Sequence, residues 1–216
     1  MEENVVTEYQ VTDREVIHEG FVNLEKVTVE KGDSQRTREV LRTGNCSSAL
    51  IYDTVKEKYI FVEQFRAAVE GVMVEIVAGS IDEGETPEQA IKREIMEETG
   101  YKVDSLVHVK DFYTSPGRTD EIMTVFYAEV SEQVNEGGGI GDEDISLVEV
   151  EQIGMGGRLF FQDPMNMEMT AGVEQKLLPP YQLIDAKSLI AVMWREYNST
   201  LKDMADVITQ AKIRTM

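Results

Sequence analysis

Residues 79–101 constrain the fold of this 216-residue chain more strongly than any other segment. Thr86 is a favourable N-cap residue, and Gln89, three positions later, completes a capping box with it. Pro87 suits the first position of a helix, and Gly100 supplies the left-handed residue that often ends one. The segment therefore predicts a helix whose two ends are both defined by local signals.

The predicted helix carries three glutamates on one side. Glu94 and Glu98 are four residues apart with Glu97 between them, and Ile91 and Ile95 form a separate apolar side. Like charges this close repel each other, by roughly 0.2–0.5 kcal/mol per pair on an exposed helix. Carboxylate oxygens are also the ligands that Mg²⁺ and Mn²⁺ prefer. From these residues alone, a metal site and a merely solvated acidic face are both consistent interpretations.

The whole segment resembles the Nudix box, in which glycines, an arginine and several glutamates recur at fixed spacing. Its nine specified positions are filled here by Gly79, Glu85, Arg93, Glu94, Ile95, Glu97, Glu98, Gly100 and Tyr101. The resemblance implies a Nudix hydrolase, an enzyme that cleaves a nucleoside diphosphate linked to another group. It also implies that Glu85 pairs with Arg93 and fixes the preceding loop against the helix.

The resemblance further implies a metal-dependent catalytic site at the box. Glu94 and Glu98 would be the principal ligands, assisted by Glu97 and by the backbone carbonyl of Ala78. Two or three Mg²⁺ ions, or Mn²⁺ in their place, would neutralise the diphosphate and activate a water molecule for attack on phosphorus.

Similarity to particular branches of the family extends beyond the box. Residues 62–66 and 75–79 are similar to strands of ADP-ribose pyrophosphatases. The Ser-Pro-Gly turn at Pro116 is similar to a marker of that branch, with an ordinary tight turn as the alternative interpretation. Residues 137–145 are instead similar to a loop of bacterial GDP-mannose pyrophosphatases.

Acidic residues after the box complete the implied catalytic set. In both branches a late acidic loop closes over the diphosphate, which assigns metal binding or activation of water to Glu143, with Asp142 beside it. Glu121 aligns with a glutamate that is catalytic or contacts the substrate. Which of these three activates the water stays open, and a polar turn after a flexible glycine run is the alternative for residues 142–144.

Several positions are implied to contact the substrate. Arg66, Arg38 and Lys187 resemble the cations that contact phosphate in these relatives. The full implied set is Phe21, Arg38, Arg66, Gly79, Ser80, Pro116, Asp142 and Lys187. In the relatives an N-terminal segment docks on a partner subunit, so the resemblance implies a homodimer in which Phe21 and Arg38 complete the neighbour's site.

Strand and helix patterns outside the box favour an α/β (α+β) chain. Short β-type runs, including 16–28 and 38–42, alternate with polar turns in the first 45 residues. Runs at 49–52 and 59–62 predict further strands, and residues 186–197 predict a second helix.

Combined with the resemblance, these patterns imply three parts of the chain. Residues 1–45 would form a small antiparallel β-sheet used in dimerisation, and residues 46–216 a Nudix α/β/α sandwich with a mixed sheet. Residues 154–183 are longer than their counterpart in the relatives and are expected to be an insertion. A lid, a dimer contact and a packing loop are the alternatives for its role.

Composition excludes several other classes of function. Against 21 basic residues stand 41 acidic ones, and the net charge of −20 disfavours nucleic-acid polymers and anionic membranes, whose phosphates it repels. A single cysteine permits no internal disulfide, and two distant histidines give zinc chemistry no support. Without a signal-peptide pattern or a long apolar stretch, a soluble cytoplasmic protein is expected.

The expected function is therefore that of a Mg²⁺-dependent pyrophosphatase acting on a nucleoside diphosphate sugar. ADP-ribose, cleaved to AMP and ribose 5-phosphate, is the expected substrate, and GDP-mannose is the alternative. A non-catalytic Nudix-fold nucleotide sensor is the competing class, although the intact Glu94, Glu97 and Glu98 argue against it.

Overall fold

The computed structural model describes residues 8–141, 143–151 and 185–214, without the side chains beyond residue 202. Asp142 and the expected insertion at 154–183 therefore lie outside the described residues. The chain divides into two compact units. The first comprises Met1–Asn45 and Phe112–Met123, and the second comprises Cys46–Asp111 and Thr124–Met216.

The first unit contains a small antiparallel sheet. Its strands, in spatial order, are β1 (Gln10–His18), β2 (Asn23–Lys31) and β3 (Ser34–Arg42). The β2–β3 hairpin turns at Gly32, whose φ of 56° is one that glycine adopts readily. The antiparallel sheet expected near the N-terminus is thus confirmed. The single β-type run at 16–28 is corrected, because the chain leaves the sheet between β1 and β2.

The second unit is organised around a seven-stranded sheet. Its strands are β4 (Cys46–Asp53), β5 (Lys58–Arg66), β6 (Gly71–Glu75), β7 (Val77–Ser80), β8 (Tyr101–Tyr113), β9 (Ile122–Gln133) and β10 (Ile145–Val150). The main order is β10-β5-β4-β9-β8, with β6 paired to β5 and β7 paired to β4. In the antiparallel β4–β7 pair, Ser47 lies opposite Gly79 and Ser48 opposite Ala78.

The predicted box helix is present as α1 (Pro87–Thr99). The Thr86 side chain accepts a hydrogen bond from the Gln89 backbone, and the Gln89 side chain accepts one from the Thr86 backbone. Gly100 ends the helix in the left-handed conformation, with φ 70°. Both end signals read from the sequence therefore act as predicted.

The main core lies between α1 and the sheet. Ile91 and Ile95 are fully buried and belong to one apolar cluster with Ala49, Ile51 and Val77 of β4 and β7. Since alternate residues of a strand share a face, this cluster identifies the face of β4 that is turned to α1. The apolar side predicted for the helix is therefore its buried side.

The second helix, α2 (Ala186–Arg214), is longer than the predicted 186–197. No glycine or proline follows Tyr197 before Arg214, so the sequence contains no strong stop signal there. At its start the Ser188 hydroxyl accepts a hydrogen bond of 3.0 Å from the buried backbone N–H of Ile76. Within the described residues, no helix is both long and apolar enough to cross a membrane.

Candidate active site

Arg93 of α1 joins the box helix to the loop that precedes it. Its Nε and Nη2 atoms donate to the two carboxylate oxygens of Glu85 at 3.0 and 2.9 Å, and Nη2 also donates to the Ser80 carbonyl at 2.9 Å. This bidentate pair holds the pKa of Glu85 below its usual value. The structure thus contains the pair of Glu85 and Arg93 that the Nudix resemblance implies.

The same guanidinium also contacts the carboxylate cluster, which comprises Glu94, Glu97, Glu98 and Glu143. Arg93 Nη1 donates to Glu94 Oε1 at 2.7 Å and to Glu97 Oε2 at 3.2 Å. Gly79 lies directly against this cluster, because a Cβ atom at that position would overlap the Glu94 carboxyl group. A side chain is therefore excluded at Gly79, next to Ala78 on β7.

Glu98 is the most deeply buried of the three box glutamates. Glu98 is only 4% exposed, and its Oε2 atom has no hydrogen-bond partner among the described residues. Burial, together with the negative charges of Glu94 and Glu143, raises the pKa of Glu98 to about 8. Burial likewise raises the pKa of Glu94. At Glu98, burial and these two negative charges therefore outweigh the nearby positive charges of Arg66 and Lys187.

A divalent cation fits the chemistry of this cluster. The donors are carboxylate oxygens, one of them buried without a partner, and their mutual repulsion is what a cation would relieve. Among the described residues, however, no three acidic, histidine or cysteine side chains converge on one point. Arg93 holds one oxygen of Glu94 and one of Glu97, so a cation bound by both carboxylates would compete with the guanidinium for them.

The glycine run after β9 is docked on the C-terminus of α1. The backbone N–H groups of Gly138 and Gly139 donate to the carbonyls of Glu98 and Glu97 at 2.8 and 3.0 Å. Beyond the run, Glu143 Oε2 accepts a hydrogen bond from the Ile140 N–H at 2.9 Å. The run is therefore an anchored segment, and its glycines allow the close approach. The distance in sequence between these glycines and the box does not predict their contact with α1.

Two of the expected phosphate-contacting cations meet on one buried carboxylate. Arg66 Nη2 and Lys187 Nζ lie 2.7 and 2.9 Å from Glu75 Oε2, and Lys187 also contacts Asp185 at 3.0 Å. Burial acts to raise the pKa of Glu75, but these cations outweigh it and hold the pKa below its usual value. Both cations also act electrostatically on Glu98.

Sequence reasoning missed Glu75 and Asp185. The available signal was an acidic residue within the apolar run of residues 72–78, where a buried charge needs a partner.

The remaining expected site residues belong to the first unit. Arg38 and Pro116 line a cavity of about 560 Å³ within that unit. Other lining residues that carry charge are Arg14, Arg42, Arg118 and Asp120. Phe21 is fully exposed, and Glu121 Oε2 accepts a hydrogen bond of 3.5 Å from Thr43 Oγ1.

Docking of the glycine run can be tested by two alanine substitutions. A Cβ atom at Gly137 would lie 2.5 Å from the Glu98 carbonyl oxygen, whereas one at Gly141 would meet open space. Both residues have positive φ, 68° and 66°, so both variants incur the left-handed backbone cost of about 1–2 kcal/mol. We expect Gly137→Ala to lower the free energy of unfolding further than Gly141→Ala in urea denaturation. Equal losses would contradict the docking.

The burial of Glu98 predicts an unusual dependence of stability on pH when divalent cations are removed by EDTA. Its folded pKa of about 8 exceeds the ordinary 4.5, so the folded protein binds this proton more tightly than the unfolded chain. Its contribution to stability is therefore present below about 4.5 and is lost as the pH rises towards about 8.

Glu98→Gln removes this titration while keeping the shape of the side chain. Urea unfolding across that pH range should show the variant gaining stability relative to wild type as the pH increases. Glu88→Gln, at an exposed position of α1, serves as the control and should follow wild type. A constant difference between wild type and Glu98→Gln would show that Glu98 titrates normally.

Comparison with known proteins identifies the family of this chain. A sequence model of the NUDIX domain matches residues 45–165. ADP-ribose pyrophosphatase of Bacillus subtilis is 33% identical over 202 residues, covering 94% of this chain and 97% of that protein. GDP-mannose pyrophosphatase of Cronobacter sakazakii is 39% identical over 121 residues, covering 52% of this chain but only 63% of that relative.

A solved structure supports the fold independently. The crystal structure of an ADP compounds hydrolase matches with a TM-score of 0.65 at 19% identity, covering 89% of this chain and 95% of that one. The expected combination of helices and sheet in a Nudix fold is thereby confirmed. The matched domain, the near full-length relative and the complete box together show that the chain belongs to the Nudix family.

Proposed function

We propose that this protein is a divalent-metal-dependent pyrophosphatase that hydrolyses ADP-ribose to AMP and ribose 5-phosphate. The observation that carries the choice of substrate is the extent of the similarity. The match to an ADP-ribose pyrophosphatase spans 94% of this chain, including the first unit. The match to a GDP-mannose pyrophosphatase has higher identity, 39%, over 52% of the chain, which makes GDP-mannose the second candidate.

The proposed metal site uses Mg²⁺, held by Glu94, Glu97, Glu98 and Glu143 with the carbonyl of Ala78. When bound, the cation would neutralise the diphosphate and make water more acidic. Burial of Glu98, and the charge of Glu143 acting on it, support this choice of ligands. Arg93 fixes the direction of the helix that carries the box glutamates by holding Glu85.

The proposed reaction is substitution at phosphorus. Water attacks one phosphorus atom of the diphosphate, the bridging P–O bond breaks, and a carboxylate accepts the proton of the water. Glu143 is the proposed acceptor, because its loop is tied to α1 through the glycine run. Glu121 and Asp142 are assigned contacts with the substrate.

The proposed phosphate contacts are Arg66 and Lys187. Lys187 is 12% exposed and engaged with two carboxylates, so it contributes positive charge more than free hydrogen bonds. Arg66 is 38% exposed and presents the more accessible donor group. These cations help a chain of net charge −20 to accept an anionic substrate. The proposal includes a cytoplasmic location, supported by the single cysteine.

A product-resolved assay tests the enzymatic function. With Mg²⁺, wild type should convert ADP-ribose to AMP and ribose 5-phosphate faster than it converts GDP-mannose to GMP and mannose 1-phosphate. Glu98→Gln should lower this rate by roughly 100-fold or more, since it removes charge at the reacting centre. Glu88→Gln should retain the wild-type rate.

Three outcomes would count against the assignment. Full activity of Glu98→Gln would exclude the metal-ligand role, and faster release of GMP would make GDP-mannose the substrate. Binding of ADP-ribose in EDTA and in Mg²⁺ without product in either would identify a sensor.

The first unit supports a proposed homodimer. Strand β1 is exposed along its whole length, and Val11, Val16 and Ile17 on it are each about half exposed. Exposed apolar side chains close together on a surface are typical of a protein–protein interaction site. A second copy of the chain is the proposed cover, with Phe21 and Arg38 completing the partner's substrate site.

Sedimentation at micromolar concentration tests the dimer. Wild type should show twice the 24.4 kDa mass of one chain. Val11→Glu places a charge on the proposed interface and should shift the protein to monomer. Val55→Glu changes an exposed valine of the β4–β5 turn and should leave the dimer intact. A monomeric wild type, or equal effects of both substitutions, would contradict the proposed interface.

A further inference from the structure

Ser47 is a fully buried polar residue without an evident role. It lies on β4 with 0% of its surface exposed, and its hydroxyl has no hydrogen-bond partner among the described residues. Leaving a buried hydroxyl unpaired costs about 1–3 kcal/mol. A small apolar residue would pack at such a position without this cost, so the hydroxyl requires an explanation.

The strand register places Ser47 on the same side as Glu94. Ser47 lies opposite Gly79 in the antiparallel β4–β7 pair, and directly opposed residues project from one face of a sheet. On that face a Cβ atom at Gly79 would overlap the Glu94 carboxyl group. Ala49, two residues further along β4, packs with Ile91 of α1, which confirms the direction.

Glu94 has one hydrogen-bond donor in this structure, and a bound cation would compete with that donor for the carboxylate. Its Oε1 atom accepts from Arg93 at 2.7 Å, and Arg93 simultaneously holds Glu97. Since a shared ion would compete with this guanidinium, we expect the Glu94 carboxylate to turn when it binds an ion together with Glu98. Carboxylates that bind metals are usually held by a further hydrogen-bond donor behind them.

We propose that Ser47 is a positioning residue for the Glu94 carboxylate, donating a hydrogen bond to it in the cation-bound state. The inference rests on the proposed function only in taking Glu94 as a cation ligand. It explains why a hydroxyl is buried next to Gly79 and why it lacks a partner while Glu94 is held by Arg93. The contact forms when the carboxylate turns.

Ser48 offers a matched control one residue away. It is also fully buried, and its hydroxyl also lacks a partner among the described residues. Successive residues of a strand point to opposite faces, so the Ser48 side chain is directed away from α1. Ser48→Ala and Ser47→Ala therefore remove the same group from the same strand on its two sides.

The test is Mn²⁺ binding by the full chain, measured from the electron paramagnetic resonance signal of the free ion. Ser47→Ala should weaken Mn²⁺ binding about tenfold or more, as loss of such outer contacts does in metal sites. Ser48→Ala should bind Mn²⁺ as wild type does. In EDTA neither variant should be less stable than wild type in urea, since each loses an unpaired hydroxyl.

Three outcomes would overturn the inference. Unchanged Mn²⁺ binding by Ser47→Ala would show that the hydroxyl does not support the site, and equal weakening by both variants would show a general packing effect. A wild type that binds no Mn²⁺ would remove the cation site altogether. A wild type that binds Mn²⁺ but hydrolyses no nucleoside diphosphate sugar would overturn the proposed function, while the comparison of the two serines would still stand.

Discussion

The forked contact of Arg93 is the interaction on which the arrangement of this site depends. One guanidinium holds both oxygens of Glu85 and the carbonyl of Ser80, and it reaches Glu94 and Glu97 with its remaining nitrogen. A lysine could not do this, because its ammonium group cannot present parallel donors to a carboxylate. The contact both ties the loop to the helix and offsets part of the repulsion between the glutamates.

The positive charge available to the cluster is unevenly distributed. Arg93 neutralises the side of the cluster near the loop, whereas Glu98 is buried beyond its reach and close to the charge of Glu143. Arg66 and Lys187 act on Glu98 only from a distance, because Glu75 holds them both. The folded chain thus keeps a buried carboxylate poorly compensated, which is the electrostatic condition that favours an arriving cation.

The sequence predicted where the box helix begins and ends, because the caps and the apolar side of a helix depend on residues that are close together in the chain. Features that depend on distant residues could not be read in the same way. Glu75 pairs with Arg66 of β5 and with Lys187 of α2, which lies 112 residues further along the chain. The docking of residues 137–139 likewise depends on a helix that ends almost forty residues earlier. The prediction of one β-type run at 16–28 was wrong, because β-type residues lie on both sides of the turn between β1 and β2.

The hydrogen bonds from Gly138 and Gly139 divide the late loop into two parts with different freedom to vary. The anchored part satisfies carbonyls that the end of α1 would otherwise leave without partners, so it must keep its length and its backbone shape. Further along, Ile140 and Glu143 are hydrogen-bonded to each other. Relatives could therefore lengthen or shorten that second part while the box helix and its glutamates stay undisturbed.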